Sequence, residues 1–181
     1  MAKKVLIIGE SCKDIFNYGR CDRLCPDAPV PVFNGVNTVS TDGMAMNVAK
    51  NIMSLGDEDD IITNQMLLRI DENDEVVTPF NMFILPKEDV EKYDAVIISD
   101  YCKGFLTEDS MQYLSTLNDN VFLDTKRLLG DWCSDINFIK INYYEHDRTK
   151  HLLDNDIYER LIITLGSKGC KYKDEVFPVE K

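Results

Sequence analysis

Five short apolar runs in this chain stop at residues able to hold or polarise a ligand: VLIIGE at Glu10, AVIISD at Asp100, VFLDTK at Asp124 and Lys126, NFIKIN at Asn142, and LIITLGSKG at its glycines. Runs of this kind read as strands buried on both faces of a parallel α/β sheet, and in such sheets ligands bind in the crevice beyond the carboxyl ends of the strands. Carboxylates, a lysine, an amide and glycines at those ends therefore outline a candidate site. The Gly166-Ser167-Lys168-Gly169 turn lacks the GK[ST] order of a P-loop. Six cysteines and two histidines give no zinc pattern, because only Cys21 and Cys25 are close in sequence and without C-x-x-C spacing. They read as free thiols.

The elements that must position these residues follow from pattern. Residues 11–31 read as a long irregular loop, since Gly19, Pro26, Pro29 and Pro31 exclude a long helix. Residues 30–40 alternate as an exposed strand outside the central sheet, which places them in a small flap. After Gly43, the spacing of Met44, Val48, Ile52 and Leu55 predicts a helix stopped by Gly56. The acidic stretch 57–60 reads as a solvated connection, with two more flap strands in 61–70 and 75–85 and a short helix over 85–93. Thr107 caps the next helix, with Glu108 and Asp109 at the positive end of its dipole. From residue 93 the order is strand, helix, strand, short helix, strand, helix, strand, and right-handed crossovers make those strands parallel.

The chain has 181 residues, 44% of them hydrophobic, which is enough for one domain with a real core. A formal net charge of −12 argues against a nucleic-acid surface, which needs clustered Lys and Arg. No apolar stretch approaches the ~18 residues of a membrane span, and the N-terminal run is too short for a signal-peptide core. The expected setting is the cytoplasm.

Three blocks, GESCKDIFNYGRCDRLCPDAPVPVFNGV, DGMAMNVAKNIMSLG and SDYCKGFLTED, resemble the ribokinase (PfkB-type) carbohydrate kinases, and within them the bacterial heptose-phosphate kinases that form the kinase domain of bifunctional ADP-heptose synthesis enzymes. The resemblance extends with interruptions from about residue 5 to 169. It implies a ribokinase-like α/β fold with a mainly parallel sheet, flanking helices and a β lid, and one shortened domain over 1–181 with flap strands at about 30–40 and 61–85. It also implies ATP and Mg²⁺ as cofactors and a sugar phosphate as substrate.

By the same resemblance, Asp14 binds sugar hydroxyls, Gly43 is the second glycine of a hinge whose first is here Asp42, and Asn47 contacts the sugar. Arg69 reaches the sugar phosphate from a flap strand, and Lys103 and Lys126 lie near the cleft. Asn142 and Glu145 form the NxxE motif that organises hydrated Mg²⁺, and Thr164, Gly166, Ser167 and Gly169 lie against the nucleotide. Each has a plain structural alternative: a loop-capping Asp14, a surface Asn47 or Arg69, a helix start at Asn142 to Glu145, and a hairpin turn at Gly166 to Gly169.

Two departures from the family pattern set further expectations. Little chain separates Leu55 from Ile61, where the family has a βαβ unit, and the GAGD segment bearing the catalytic aspartate has no counterpart. No catalytic base is therefore assigned, and the fold is expected to be incomplete at its C-terminus. Three outcomes follow: a kinase completed by a partner chain or a second copy, a non-catalytic sugar-phosphate-binding or regulatory module, or a structural subunit pairing through its flap strands. An apolar fifth strand at 161–165 needs burial on both faces, so an oligomer is expected.

Overall fold

Strand β1 runs from Lys4 to Leu24 and changes partners halfway. Its apolar first half lies between two parallel neighbours, β3 (Glu58–Gln65) and β4 (Ala95–Asp100). Its polar, exposed second half pairs antiparallel with β2 (Pro31–Met44), from Ser11 opposite Met44 to Leu24 opposite Pro31. The computed structural model describes residues 3–55, 58–65 and 90–179.

Two expectations are corrected here. Residues 11–24 are strand rather than loop, because proline barred only a helix: Pro26 and Pro29 fall in the turn closed by Cys25 N–H donating to Val30 O (2.9 Å). Pro31 opens β2, where a missing donor is tolerated. Ile15, Phe16 and Tyr18 favour extended backbone. The flap strand is also hydrogen-bonded into the same sheet through β1, and it extends to Met44 rather than Ser40.

The stretch 58–65 forms a parallel strand of the central sheet, with Ile61 and Ile62 in register with Ile7 and Ile8. It is therefore neither a solvated connection nor a flap strand. The remaining flap expectation, 66–85, the Gly56 stop, and all but the end of the 85–93 helix lie outside the described residues.

Helix α1 (Ala45–Ser54) buries Ala45 and Ala49 against Val5 and Ile7, flanked by Val48, Ile52 and Ile97. Alanines allow close approach to the sheet, so the expected stripe turns slightly: Met44 caps the helix and Leu55 stays 75% exposed. Helix α2 (Glu108–Ser115) starts as expected, with Ser110 N–H donating to Thr107 Oγ1 (3.2 Å) and Thr107 N–H to Ser110 Oγ (2.8 Å). Strands β5 (Val121–Thr125), β6 (Phe138–Asn142) and β7 (Leu161–Thr164) continue the parallel sheet. Between β6 and β7 lie the short helices α3 (Tyr143–Thr149) and α4 (Asn155–Tyr158). Strands β8 (Cys170–Tyr172) and β9 (Glu175–Phe177) add antiparallel pairs.

The main core occupies one face of the sheet. Leu6, Ile8, Val96, Ile98, Leu123, Ile139, Ile141 and Ile163 pack with Leu106, Met111 and Leu114 from the α2 side and Ile157 from α4. On the opposite face α1 packs against β1, while Phe122 and Phe138 remain partly exposed and stack on each other (centroids 4.8 Å apart), with Tyr172 tilted at 6.2 Å. Burial of both faces, expected from the continuous apolar runs, therefore does not hold along β5 to β7. Side-by-side aromatics shield each other from water there. Nor is β7 an edge, since β8 pairs with it. No helix among the described residues is long and apolar enough to cross a membrane.

Candidate functional site

The carboxyl ends of β1, β4, β5 and β6 converge as parallel topology demands, and two buried acids hold the loop between β4 and α2 in place. Glu10 is fully buried. Its carboxylate accepts from the backbone N–H groups of Tyr101 (2.6 Å), Lys103 (2.9 Å) and Phe105 (3.4 Å). Asp100, also fully buried, accepts from Thr125 Oγ1 (2.7 Å), Arg127 Nε (2.9 Å) and Cys102 N–H (3.2 Å). Arg127 also donates to Leu106 O (2.6 Å). Cys102 takes φ 58°, a left-handed conformation that this network of hydrogen bonds maintains. The polar stops in the sequence flagged both acids; their part in shaping the loop is visible only in the fold.

Tyr101, presented by that loop, lies beside the end of β5. Lys126 Nζ lies 5.3 Å from its ring centroid. The ammonium also meets Glu145 Oε1 at 2.8 Å and Asp124 Oδ1 at 3.8 Å, and Lys140 holds Asp124 from the other side at 3.0 Å. Burial alone would lower the Lys126 pKa, but the Glu145 hydrogen bond and the charges of Asp124 and Glu145 outweigh it and raise it. Burial pushes the Tyr101 phenol up, aided by the Asp124 charge and more weakly by Cys12 and Asp14, with Lys126 opposing. No signal in the sequence singled out Tyr101 except its place in SDYCKG.

The Asn142 and Glu145 pair is a capping box for α3: Glu145 N–H donates to Asn142 Oδ1 (2.9 Å), and Asn142 N–H donates to Glu145 Oε2 (2.7 Å). The helix-start alternative is thus realised, while Glu145 Oε1 faces Lys126. Each carboxylate oxygen has two lone pairs, so the arrangement leaves acceptor capacity toward the cleft. No group of three His, Cys, Asp or Glu side chains suited to a directly ligated ion exists among the described residues. Asp124 and Glu145, bridged by one lysine, instead suit a cation that keeps its waters.

At the root of the flap, Gly43 sits opposite Cys12, and a Cβ on it would come within 2.4 Å of Asp14 Oδ2 and 2.8 Å of Cys12 Sγ. Glycine lets the Asp14 carboxylate lie over the backbone here, and a side chain would displace it. Cys12 Sγ lies 3.5 Å from Asp14 Oδ1, and burial, then that carboxylate, raises the thiol pKa. The positive φ at the β2–α1 junction belongs to Met44 (55°), not Gly43. Asp42, in place of the first hinge glycine, pairs with Lys50 of α1 (2.8 Å), which lowers the Asp42 pKa. Asn47 is exposed in the first turn of α1.

A second cleft lies beyond β6 and β7, lined by Asn142, Tyr143, Tyr144, Thr164, Gly166 and Lys168. Asn142, Thr164 and Gly166 therefore do share a site, whereas Ser167 and Gly169 are not among its lining residues. Gly169 serves the backbone instead, since its φ is 95° and a Cβ there would strike Phe177 O. Lys103 is exposed, anchored only through its backbone to Glu10. Arg69 lies outside the described residues.

No protein-family profile matches the chain. It is 26% identical over 207 aligned positions to the bifunctional protein HldE of Helicobacter acinonychis, covering 85% of this chain and 44% of that protein. The chain thus spans under half the length of this curated relative. In fold it is similar to a ribokinase from Thermotoga maritima, with TM-score 0.57 at 12% identity over 99% of this chain and 78% of that one. It is also similar to the tetrameric inhibited form of phosphofructokinase-2 from Escherichia coli, with TM-score 0.50 at 12% identity over 98% and 79%. The fold is ribokinase-like, and incomplete relative to these solved chains. The resemblance to heptose-phosphate kinases read from the three motif blocks is borne out by the HldE match.

Proposed function

We propose that the chain is the substrate- and cation-binding part of an ATP-dependent carbohydrate kinase acting on a heptose-phosphate-like sugar in the cytoplasm. The observation that carries this reading is the Lys126–Glu145–Asn142 group beside Tyr101 at the carboxyl ends of β4, β5 and β6, together with the Asp14 carboxylate lying over Gly43 at the root of the flap. Asp14 and Asn47 bind sugar hydroxyls, and Arg69 and Lys103 draw the sugar phosphate. Lys126, Thr164 and Gly166 meet the nucleotide, and Asn142, Glu145 and Asp124 would hold hydrated Mg²⁺. The bound metal supplies charge neutralisation for the transferring phosphoryl group. Phosphoryl transfer is impaired in these residues alone, and a partner chain or further residues supply the base.

Titration calorimetry with a heptose phosphate tests the reading. The wild-type chain binds, and Asp14→Ala binds about 10- to 100-fold more weakly, the range for hydrogen bonds to a charged acceptor. Equal affinities in the two proteins remove Asp14 from the site. A non-catalytic binding or regulatory subunit is the second reading. It is favoured by the absence of a Gly-rich loop followed by aspartate among the described residues.

The flap gives a partner surface. Ile15, Phe16, Tyr18, Phe33, Val36 and Val39 stand exposed on the β1–β2 ribbon, and a two-stranded ribbon with uncovered apolar side chains is marginal in water. A second copy of the chain covers it in this reading; the phosphofructokinase-2 of similar fold is itself a tetramer in its inhibited form. Sedimentation equilibrium at micromolar concentration is expected to give a mass above the 20.8 kDa monomer. A folded monomer across the concentration range rules this out.

A further inference from the structure

Tyr101 has no assigned role, yet its ring lies beside the lysine that meets Glu145. Its backbone is fixed by Glu10 at 2.6 Å, so the ring cannot drift with the loop. The Lys126 ammonium lies 5.3 Å from the ring centroid, within cation–π reach. Glu145 holds the ammonium at 2.8 Å, while Asp124, itself engaged by Lys140, is farther off at 3.8 Å. One ion pair leaves a flexible four-carbon stem free to swing about it, and an aromatic face beside the stem narrows that range.

We infer that Tyr101 is a positioning residue: its ring holds the Lys126 ammonium in place beside Glu145, where it meets the phosphates of a nucleotide. The inference rests on the proposed kinase-type cleft. Ring and hydroxyl have separable roles here. The ring face orients Lys126 and needs no hydroxyl, so phenylalanine preserves it and leucine does not.

The test uses the whole chain, with Tyr101→Phe and Tyr101→Leu beside wild type. The probe is a non-hydrolysable ATP analogue with Mg²⁺, read by calorimetry. Tyr101→Leu is expected to weaken binding about 5- to 10-fold, in the range of a partly desolvated cation–π contact, and Tyr101→Phe to match wild type. Equal affinity in Tyr101→Leu and wild type overturns the inference. A second readout needs no ligand. In lysine-labelled wild-type protein, the Lys126 side-chain signal, assigned by its loss in Lys126→Arg, should be shifted upfield by the ring current. It should stay so in Tyr101→Phe and move toward the other lysines in Tyr101→Leu. An unshifted wild-type Lys126 signal sinks the inference. Absent nucleotide binding by wild type, with the shift present, counts instead against the kinase-type reading while leaving Tyr101 in place beside Lys126.

Discussion

With ATP, Mg²⁺ and a heptose phosphate, the 181-residue chain is expected to release ADP far below ordinary enzyme rates. Phosphoryl transfer depends on positioning and charge stabilisation, and a base is needed to take the proton of the attacking hydroxyl. In these residues only Gly166 and Gly169 lie close together, and cysteine rather than aspartate follows them. Of the two Gly-Asp pairs, Gly56-Asp57 lies outside the described residues and Gly130-Asp131 opens a single 3₁₀ turn. Missing a general base costs about 10²–10⁴ in rate, and missing one oxyanion-type donor a further ~10²–10³. A coupled ADP-release assay on protein with native circular dichroism decides the matter. Turnover of ~1 s⁻¹ or faster would falsify the expectation and require a substitute base within the chain.

Replacing Glu10 with alanine is expected to cost about 3 kcal/mol or more, a large share of the roughly 5–15 kcal/mol that keeps a domain folded. The carboxylate is fully buried and serves three backbone donors of one loop, at Tyr101, Lys103 and Phe105. Alanine removes the acceptor that these donors share, and a donor shielded from water then carries a desolvation cost. Glutamine keeps one acceptor oxygen but turns an NH₂ toward a donor, so an intermediate loss follows. Urea unfolding followed by circular dichroism reads the effect as a lower midpoint. A Glu10→Ala midpoint equal to that of wild type would mean that water satisfies the loop and that Glu10 does not organise it.

How much of this was legible beforehand differs by element. The five apolar runs and their polar stops determined the parallel strands β1 and β4 to β7, because a run of branched apolar residues ended by a polar one has few other uses in a soluble chain. The Thr107 cap and the Asn142 to Glu145 pair were equally local, since a side chain bonding its own helix start needs no distant partner. The motif blocks carried the kinase resemblance that the HldE match bears out.

Tertiary structure decided what depends on distant partners. Whether residues 11–24 were loop or strand rested on β2 being there to accept their hydrogen bonds, and whether 58–65 joined the flap or the sheet rested on β1. Gly43 could be read as a hinge, but only the fold shows the Asp14 carboxylate occupying the space a side chain would need. The Tyr101, Lys126 and Glu145 contacts join the ends of three strands separated by tens of residues. The chemistry each side chain can perform is set in the sequence, through its own atoms and its near neighbours. Which of them meet is set by strand register and crossover, and that is a property of the whole sheet.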